Sequence, residues 1–342
     1  FVKYNNNKED YEIISSPIEL QFENVDKLFN AFEVSMENNA YTEVGKIVKA
    51  LDDTIGNLGI VIEEAPSIIL MGKVLIPNKM NDTYSIYEKM VKDGYNLDYL
   101  KIDYNKEESL KKIADIFDRL NVLNLVDSIF ELKTILDYYD NLYNSFEREK
   151  VSKKMFLEYT RTIGIRCKKI LNIIVNINKK IDDIKYSYDL TDDEVKIIDE
   201  ISLSGKSIKS EYEAIIEDYR NKLFAFSKLA KQMELLNLKL SKTEDKLDYT
   251  LKSLGSLKED ELRAREQLEE IKSILSNAKE KIVSYKLPVI PKCYYIELEE
   301  ATLAIREMIK ELDAKPINIE TLNIRVDTAR DLVFKVFNTT NS

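Results

Sequence analysis

The stretch LSKTEDKLDYTLKSLGSLKEDELRAREQLEEIKSILSNAKEKI, residues 240–282, decides the fold. Its apolar residues Leu240, Leu247, Leu251, Leu254, Leu257, Ala264, Leu268, Ile271, Leu275, Ala278 and Ile282 recur at steps of three, four and seven. Leu240 and Ile282 lie 42 residues apart, which is twelve steps of 3.5, the coiled-coil period and not the 3.6 of a straight surface helix. No period-2 alternation survives, so a strand is excluded. Working outward, no proline interrupts residues 207–286 or residues 105–188. Each stretch is therefore predicted as one helix of roughly 120 Å at 1.5 Å per residue. The predicted fold class is all-α, an elongated rod of consecutive spectrin-like three-helix bundles that share long continuous helices.

Composition points the same way. Charged residues make up 33% of the 342-residue chain, against eight glycines and six prolines, a balance suited to long solvated helices. The 51 basic residues face 61 acidic ones, and a net charge of −10 argues against nucleic acid as the main partner, since phosphate binding needs a basic stripe. The basic clusters 148–154 and 166–169 read as solvated helix faces. There is no histidine, and the two cysteines, Cys167 and Cys293, are far apart, so no common zinc or haem spacing can be written. Cys167 falls on a helix seam and reads as a small core residue. No run of 18 apolar residues occurs. Because the chain opens on Phe1, it is expected to be a piece of a longer protein.

The breaks are read as a repeat. Pro66 and Pro77 bracket an apolar connector, 67–76, expected to pack as a bent helical turn, Gly94 ends a helix as a left-handed C-terminal residue, and Asn105 with Glu108 has capping-box form. Thr191-Asp-Asp-Glu194 is a full capping box opening a short helix that Gly205 is expected to end. Leu287-Pro-Val-Ile-Pro291 forces a stop, and Asn318 caps a last helix. Between residues 113 and 146 the apolar face is wide enough to need two partner helices, and from Cys167 it narrows to a seam. Recurrence at roughly 95–120 residues suits three-helix units. The expected units are a partial preceding repeat at 1–41 and spectrin-like repeats at 42–143, 144–240 and 241–342.

No catalytic, cofactor-binding or metal-binding residue can be assigned. There is no Gly-rich phosphate loop, Gly-x-Ser-x-Gly or metal-ligand cluster, and pairs such as Asp192-Asp193 and Glu269-Glu270 read as helix-dipole and solubility charge. The 20 tyrosines fall mostly on apolar stripes, which favours core packing over an exposed recognition surface. The expectation is a non-enzyme without cofactor.

One segment looks familiar. Tyr84-Ser-Ile-Tyr87-Glu-Lys-Met90-Val-Lys-Asp-Gly94-Tyr95-Asn96-Leu97 resembles a signature of the EzrA family, the septation ring formation regulators of low-GC Gram-positive bacteria. Asn39-Ala-Tyr41-Thr-Glu43, Leu287-Pro-Val-Ile-Pro291 and Pro316-Ile-Asn318-Ile-Glu320 are similar to that family too, in matching order and spacing. The resemblance implies a cytoplasmic arc of spectrin-like repeats behind an N-terminal single-pass anchor, at the division septum. It implies binding to the tubulin-like division protein FtsZ, restraint of ring assembly, and links to the membrane and to wall-synthesis proteins. The anchor and the Gln-Asn-Arg-type septal patch have no counterpart in this chain. Membrane attachment would therefore come only through an anchor outside it, and homodimerisation stays open. The competing reading is a generic coiled-coil rod, such as the arm of a chromosome-organising ATPase. That class calls for a hinge or nucleotide-binding ends, and three-helix punctuation with proline breaks argues against it.

Glu261 and Asn237 interrupt the second seam, either fixing its register or lying locally exposed. If Glu261 only interrupts the interface, Glu261→Leu raises the melting temperature.

Overall fold

A computed structural model describes residues 1–284 and 292–341. Among them there are helices and turns but no strand, only one isolated bridge between Tyr188 and Ile317. The chain forms two compact units, one of residues 1–156 and 218–230, the other of residues 157–217 and 231–342. The proline break at 287–291 lies outside the described residues.

The first unit begins with α1 (Val2–Asn6), a 3-10 turn (Lys8–Ile14) and α2 (Ser15–Glu37). Then α3 (Tyr41–Leu70) passes through a π-helical turn (Met71–Leu75) into α4 (Ile76–Lys92). The expected helix junction at Pro66–Pro77 is not a break, and the bent helical turn expected between the prolines is the end of α3 and the π-helical turn. Pro66 sits inside α3, where its missing N–H leaves the carbonyl of Ile62 without its helical donor. The Tyr11 hydroxyl supplies that hydrogen bond at 2.7 Å. Pro77 is the second residue of α4, directly after the π-helical turn, and the chain stays helical through it. Gly94 does take the left-handed conformation (φ +88°) that ends the helix.

The expected helix over 105–188 is two helices, α5 (Ile102–Asn121) and α6 (Ser128–Ser187). Asn105 lies inside α5 and does not cap it; its Nδ2 donates to the Leu100 carbonyl at 3.1 Å. Neither Gly nor Pro marks the turn at 122–127. Leu123 (φ 57°) and Asp127 (φ 58°) take the left-handed conformation instead. The N–H groups of Leu123 and Asn124 return to the carbonyls of Leu120 and Arg119, the Schellman pattern. Arg119 ties the turn by donating to the Val126 carbonyl at 2.8 Å and to both Glu131 oxygens. The wide apolar face thus folds back on itself: Ile113, Ile116 and Leu120 share one core with Leu132, Ile135, Tyr139, Leu142 and Phe146.

The expected helix over 207–286 is also interrupted, at 221–225, between α7 (Asp192–Arg220) and α8 (Phe226–Ser284). The turn repeats the same device, with Lys222 at φ 51° and the N–H of Leu223 returning to Asp218. In the second unit, Ile174 and Ile177 of α6, Ile198 and Ile201 of α7, and Leu247 of α8 meet around one small cavity. Gly205 does not end a helix but lies buried in α7, where an added Cβ would stand 2.9 Å from Ile174 Cδ1. The capping box at its start forms as expected: Glu194 N–H donates to Thr191 Oγ1 and Thr191 N–H to Glu194 Oε2. The C-terminal half of α8 packs with α9 (Lys292–Asp313) and α10 (Ile319–Asn341) around Leu268, Ile271, Met308, Leu312, Leu322 and Val333. Asn318 caps α10 through the Thr321 N–H at 2.9 Å.

Two mid-helix glycines of this unit, Gly205 and Gly255, should respond oppositely. At Gly255 a Cβ meets nothing within 4 Å, so Gly255→Ala is expected to stabilise by up to about 1 kcal/mol. Gly205→Leu overfills the α6–α7 contact and is expected to cost about 1–3 kcal/mol. Urea denaturation of both variants checks the pair.

Candidate functional site

The most elaborate polar arrangement in the first unit is a lock built on Glu149. This side chain is fully buried on α6, on the stripe that carries Leu142, Phe146 and Phe156. Its carboxylate accepts the first two N–H groups of α8, Phe226 at 2.9 Å and Ser227 at 3.3 Å, and the Tyr99 hydroxyl at 3.1 Å. Those amides have no intrahelical partner, and a negative charge at a helix N-terminus is favourable. Burial, then the Glu149 charge, pushes the Tyr99 hydroxyl up to about 12, so it stays a donor. Around this point Phe226 stacks edge-on against Tyr95 and lies beside Phe156 and Tyr219. Lys153 stands 4.5 Å from the Tyr95 ring centroid and donates to the Asp93 carbonyl at 3.3 Å. Asn96 Nδ2 donates to the Lys222 carbonyl at 3.0 Å.

The residues Gly94-Tyr95-Asn96-Leu97 therefore form the docking edge for the 221–225 turn. Leu97 and Met90 enter the core, and Tyr84 packs beside Tyr87 under the Lys106 ammonium. What composition reads as a solvated basic cluster at 148–154 holds the lock in its midst. The signal available in the sequence is one acidic residue at core spacing: Phe146, Glu149 and Phe156 are three and seven residues apart.

Two partly buried polar networks, on Arg166 and on Glu261, tie helices together in the second unit. Arg166 donates through Nε to Glu244 at 2.9 Å, through Nη2 to Glu244 and Ser241, and through Nη1 to Asn237. Asn237 and Arg166 thus bridge helices, which corrects the reading of residues 166–169 as wholly solvated. Glu261 accepts from the Tyr188 hydroxyl at 2.7 Å and from Arg265, which also donates to the Leu312 carbonyl at 3.3 Å. Burial and then this bond push Tyr188 up to about 12. Burial alone would raise the Glu261 carboxyl, but hydrogen bonds from Tyr188 and Arg265 and the charges of Arg265 and Lys315 hold it below its ordinary range. Glu261 is an engaged anchor and not a mere interruption.

The residues singled out earlier are not brought together into a reacting constellation. Cys167 is buried in the wall of an open groove of about 450 Å³ between α6 and α7, its thiol pushed up by burial, and Cys293 is exposed. Tyr212 crosses that groove to donate to the Thr160 carbonyl at 2.9 Å, above Gly164. Among the described residues no three His, Cys, Asp or Glu side chains are placed to hold a metal ion. The core packing expected of the tyrosines holds for Tyr4, Tyr11 and Tyr139, which are buried, whereas Tyr41, Tyr104, Tyr186, Tyr249 and Tyr295 are exposed. Among the described residues no helix is long and apolar enough to cross a membrane. The arrangement binds helices to one another, and what it offers outward is helix surface.

A family model described as "Septation ring formation regulator, EzrA" matches residues 2–342. The chain belongs to the EzrA family. Among its relatives, septation ring formation regulator EzrA of Bacillus licheniformis is 22% identical over 95% of this chain and 58% of its own length. That of Geobacillus sp. is 23% identical, with 96% and 58% covered. That of Staphylococcus epidermidis is 21% identical, with 94% and 57% covered. The chain thus spans somewhat over half the length of these EzrA relatives. A solved structure, "Cytoplasmic domain of bacterial cell division protein EzrA", shares the fold with a TM-score of 0.58 and 18% identity, covering 99% of this chain and 67% of that one. The helical EzrA fold is therefore kept at an identity where few individual side chains are.

Two variants test the buried carboxylates. Glu149→Ala leaves two helix amides and the Tyr99 hydroxyl unpaired and is expected to cost about 2–3 kcal/mol in urea denaturation. Tyr99→Phe, which removes one neutral donor, costs about 1 kcal/mol. Glu261→Leu is now expected to lower the melting temperature, contrary to the heptad reading, because it strands Tyr188. A depressed carboxyl contributes above its unfolded pKa and stops contributing as pH falls through its folded value. The stability gap between wild type and Glu261→Leu should therefore be flat near neutral pH and shrink below about pH 4.5 in thermal melts across pH.

Proposed function

We propose that this chain is a non-enzymatic scaffold and regulator of bacterial cell division that modulates FtsZ ring assembly through its helix surfaces. The family match over residues 2–342 carries this reading, and the fold shared with the cytoplasmic domain of a cell division protein supports it. Its place in the cell is the cytoplasmic side of the membrane at the division septum, with attachment supplied by a single-pass anchor outside this chain. Its partners are FtsZ and other division or wall-synthesis proteins. Spectrin-like repeats at 42–143, 144–240 and 241–342 belong to the same proposal. The meeting of α6, α7 and α8, and of α8, α9 and α10, supports three-helix units as the building principle.

Sedimentation with purified FtsZ tests the reading. The chain is expected to co-pellet with FtsZ polymers in the presence of GTP and to reduce the polymer mass formed. A chain that neither co-pellets nor changes assembly refutes a role at the ring for this region and favours the generic rod.

A further inference from the structure

Between residues 159 and 181 α6 carries six basic residues and no carboxylate, in a chain whose net charge is −10. α7 repeats the pattern over residues 201–210, with Lys206 and Lys209 and no acid. Arg166 is spent on Glu244. Arg161, Lys168 and Lys209 are exposed, and they line the groove of about 450 Å³ between these two helices. Lys209 stands 3.8 Å from Glu213, the one carboxylate among the lining residues. Arg161 and Lys168 have no ion pair among the described residues.

A glycine at a heptad position lowers the floor of this groove. Gly164 lies seven residues from both Leu157 and Leu171, and where they carry a side chain it carries none. Tyr212 leans across from α7 to the Thr160 carbonyl, and a Cβ at Gly164 would stand 2.9 Å from its hydroxyl. Gly164, Cys167 and Leu171 are left as an apolar floor beneath the cations. Both helices continue past the groove in each direction, so its openness does not depend on where the sequence starts or stops. Phe1 packs on Phe22 in the other unit. Ile317 N–H donates to the Ser187 carbonyl at the end of α6, and α10 then runs along the 264–278 stretch of α8. From Gly164 to that junction α6 has 23 more residues, roughly 35 Å.

We propose that this groove binds an acidic segment of a partner protein, in which one aliphatic or aromatic side chain stands between carboxylates about three residues apart. The apolar side chain rests on the floor, and the carboxylates meet Arg161, Lys168 and Lys209. Spacing selects this occupant. Arg161 and Lys168 are seven residues apart, roughly 10 Å along α6, and Lys209 faces them from the α7 wall. An amphiphile with a single anionic head answers one of these charges and leaves the others unmet. A flat anionic surface does not reach a floor set between two helices. An extended segment advances roughly 10 Å in three residues and answers both ends at once. The proposal rests on the groove alone and goes beyond the division role.

The test uses the full chain and labelled peptides of about nine residues. One has glutamates around a central leucine, one has glutamates around a central serine, and one has lysines around a central leucine. In fluorescence anisotropy the glutamate–leucine peptide is expected to bind, and the other two to bind at least about tenfold more weakly. Arg161→Glu and Lys168→Glu, both at exposed positions, should each weaken it by about tenfold or more, with circular dichroism unchanged. Lys252→Glu, at an exposed lysine on α8, should leave binding unaltered. No binding, equal binding of the leucine and serine peptides, or equal binding to wild type and Arg161→Glu overturns the proposal. Phosphatidylglycerol vesicles that pellet wild type but not Lys168→Glu overturn it in favour of a lipid surface. A concentration-dependent dimer in sedimentation velocity that Arg161→Glu abolishes overturns it in favour of a second copy. A photo-crosslinker at Ile165, which is 65% exposed, that reacts only within its own polypeptide in the full-length protein overturns it as well. Peptide binding alongside a negative FtsZ assay leaves the groove standing and the division role refuted.

Discussion

The first unit depends on a single buried carboxylate. A chain made almost entirely of helices meets the same difficulty at every turn, because each helix start leaves N–H groups and each helix end leaves carbonyls without partners. Glu149, itself fully buried, resolves it at the entry to α8 by accepting the N–H groups of Phe226 and Ser227. One side chain on α6 thereby fixes where α8 begins, and it holds Tyr99 and with it the segment that follows Gly94. Aromatic packing of Tyr95, Phe156, Tyr219 and Phe226 closes over the charge, and the low-dielectric surroundings strengthen its hydrogen bonds.

The same accounting explains where the proline reading fails. Pro66 is a helix breaker because it withdraws a donor, and its steric cost is tolerated where another group meets the orphaned carbonyl. Tyr11, 51 residues from Ile62 in sequence, is that group. No local pattern connects the two. Conversely, the turns at 122–127 and 221–225 carry neither Pro nor an αL glycine, and a reading based on those residues passes over them. Leu123 and Lys222 adopt positive φ because the Schellman bonds and the packing beyond them offset the strain.

Function in such a molecule is a matter of surfaces held in place. The networks of Arg166 and Glu261 spend their polar groups inside the bundles, and Arg161, Lys168 and Lys209 are left facing outward. Residues similar to the family's signature, Gly94 to Leu97, contact the 221–225 turn and the unit-1 core, so their part in the structure is architectural. The candidate sites were legible only in outline. Glu149 stands at core spacing, but an acid inside a basic run reads as surface until its partners are known. Glu261 was visible as a seam interruption, but its bonds to Tyr188 and Arg265 were not.

The sequence by itself determined that the described chain is built of helices, that heptad stripes bury much of its apolar side, and that Thr191 and Asn318 start helices. These follow from periodicity and from capping side chains within four residues, both of which are local. Only the tertiary structure decided where the long stretches turn, that Pro66 and Gly205 lie inside helices, and which carboxylates are anchors. The physical reason is shared. Beyond the Schellman bonds that close the turns themselves, those outcomes rest on hydrogen bonds or close contacts between residues tens of positions apart, and such a partner becomes visible only when the helices are packed.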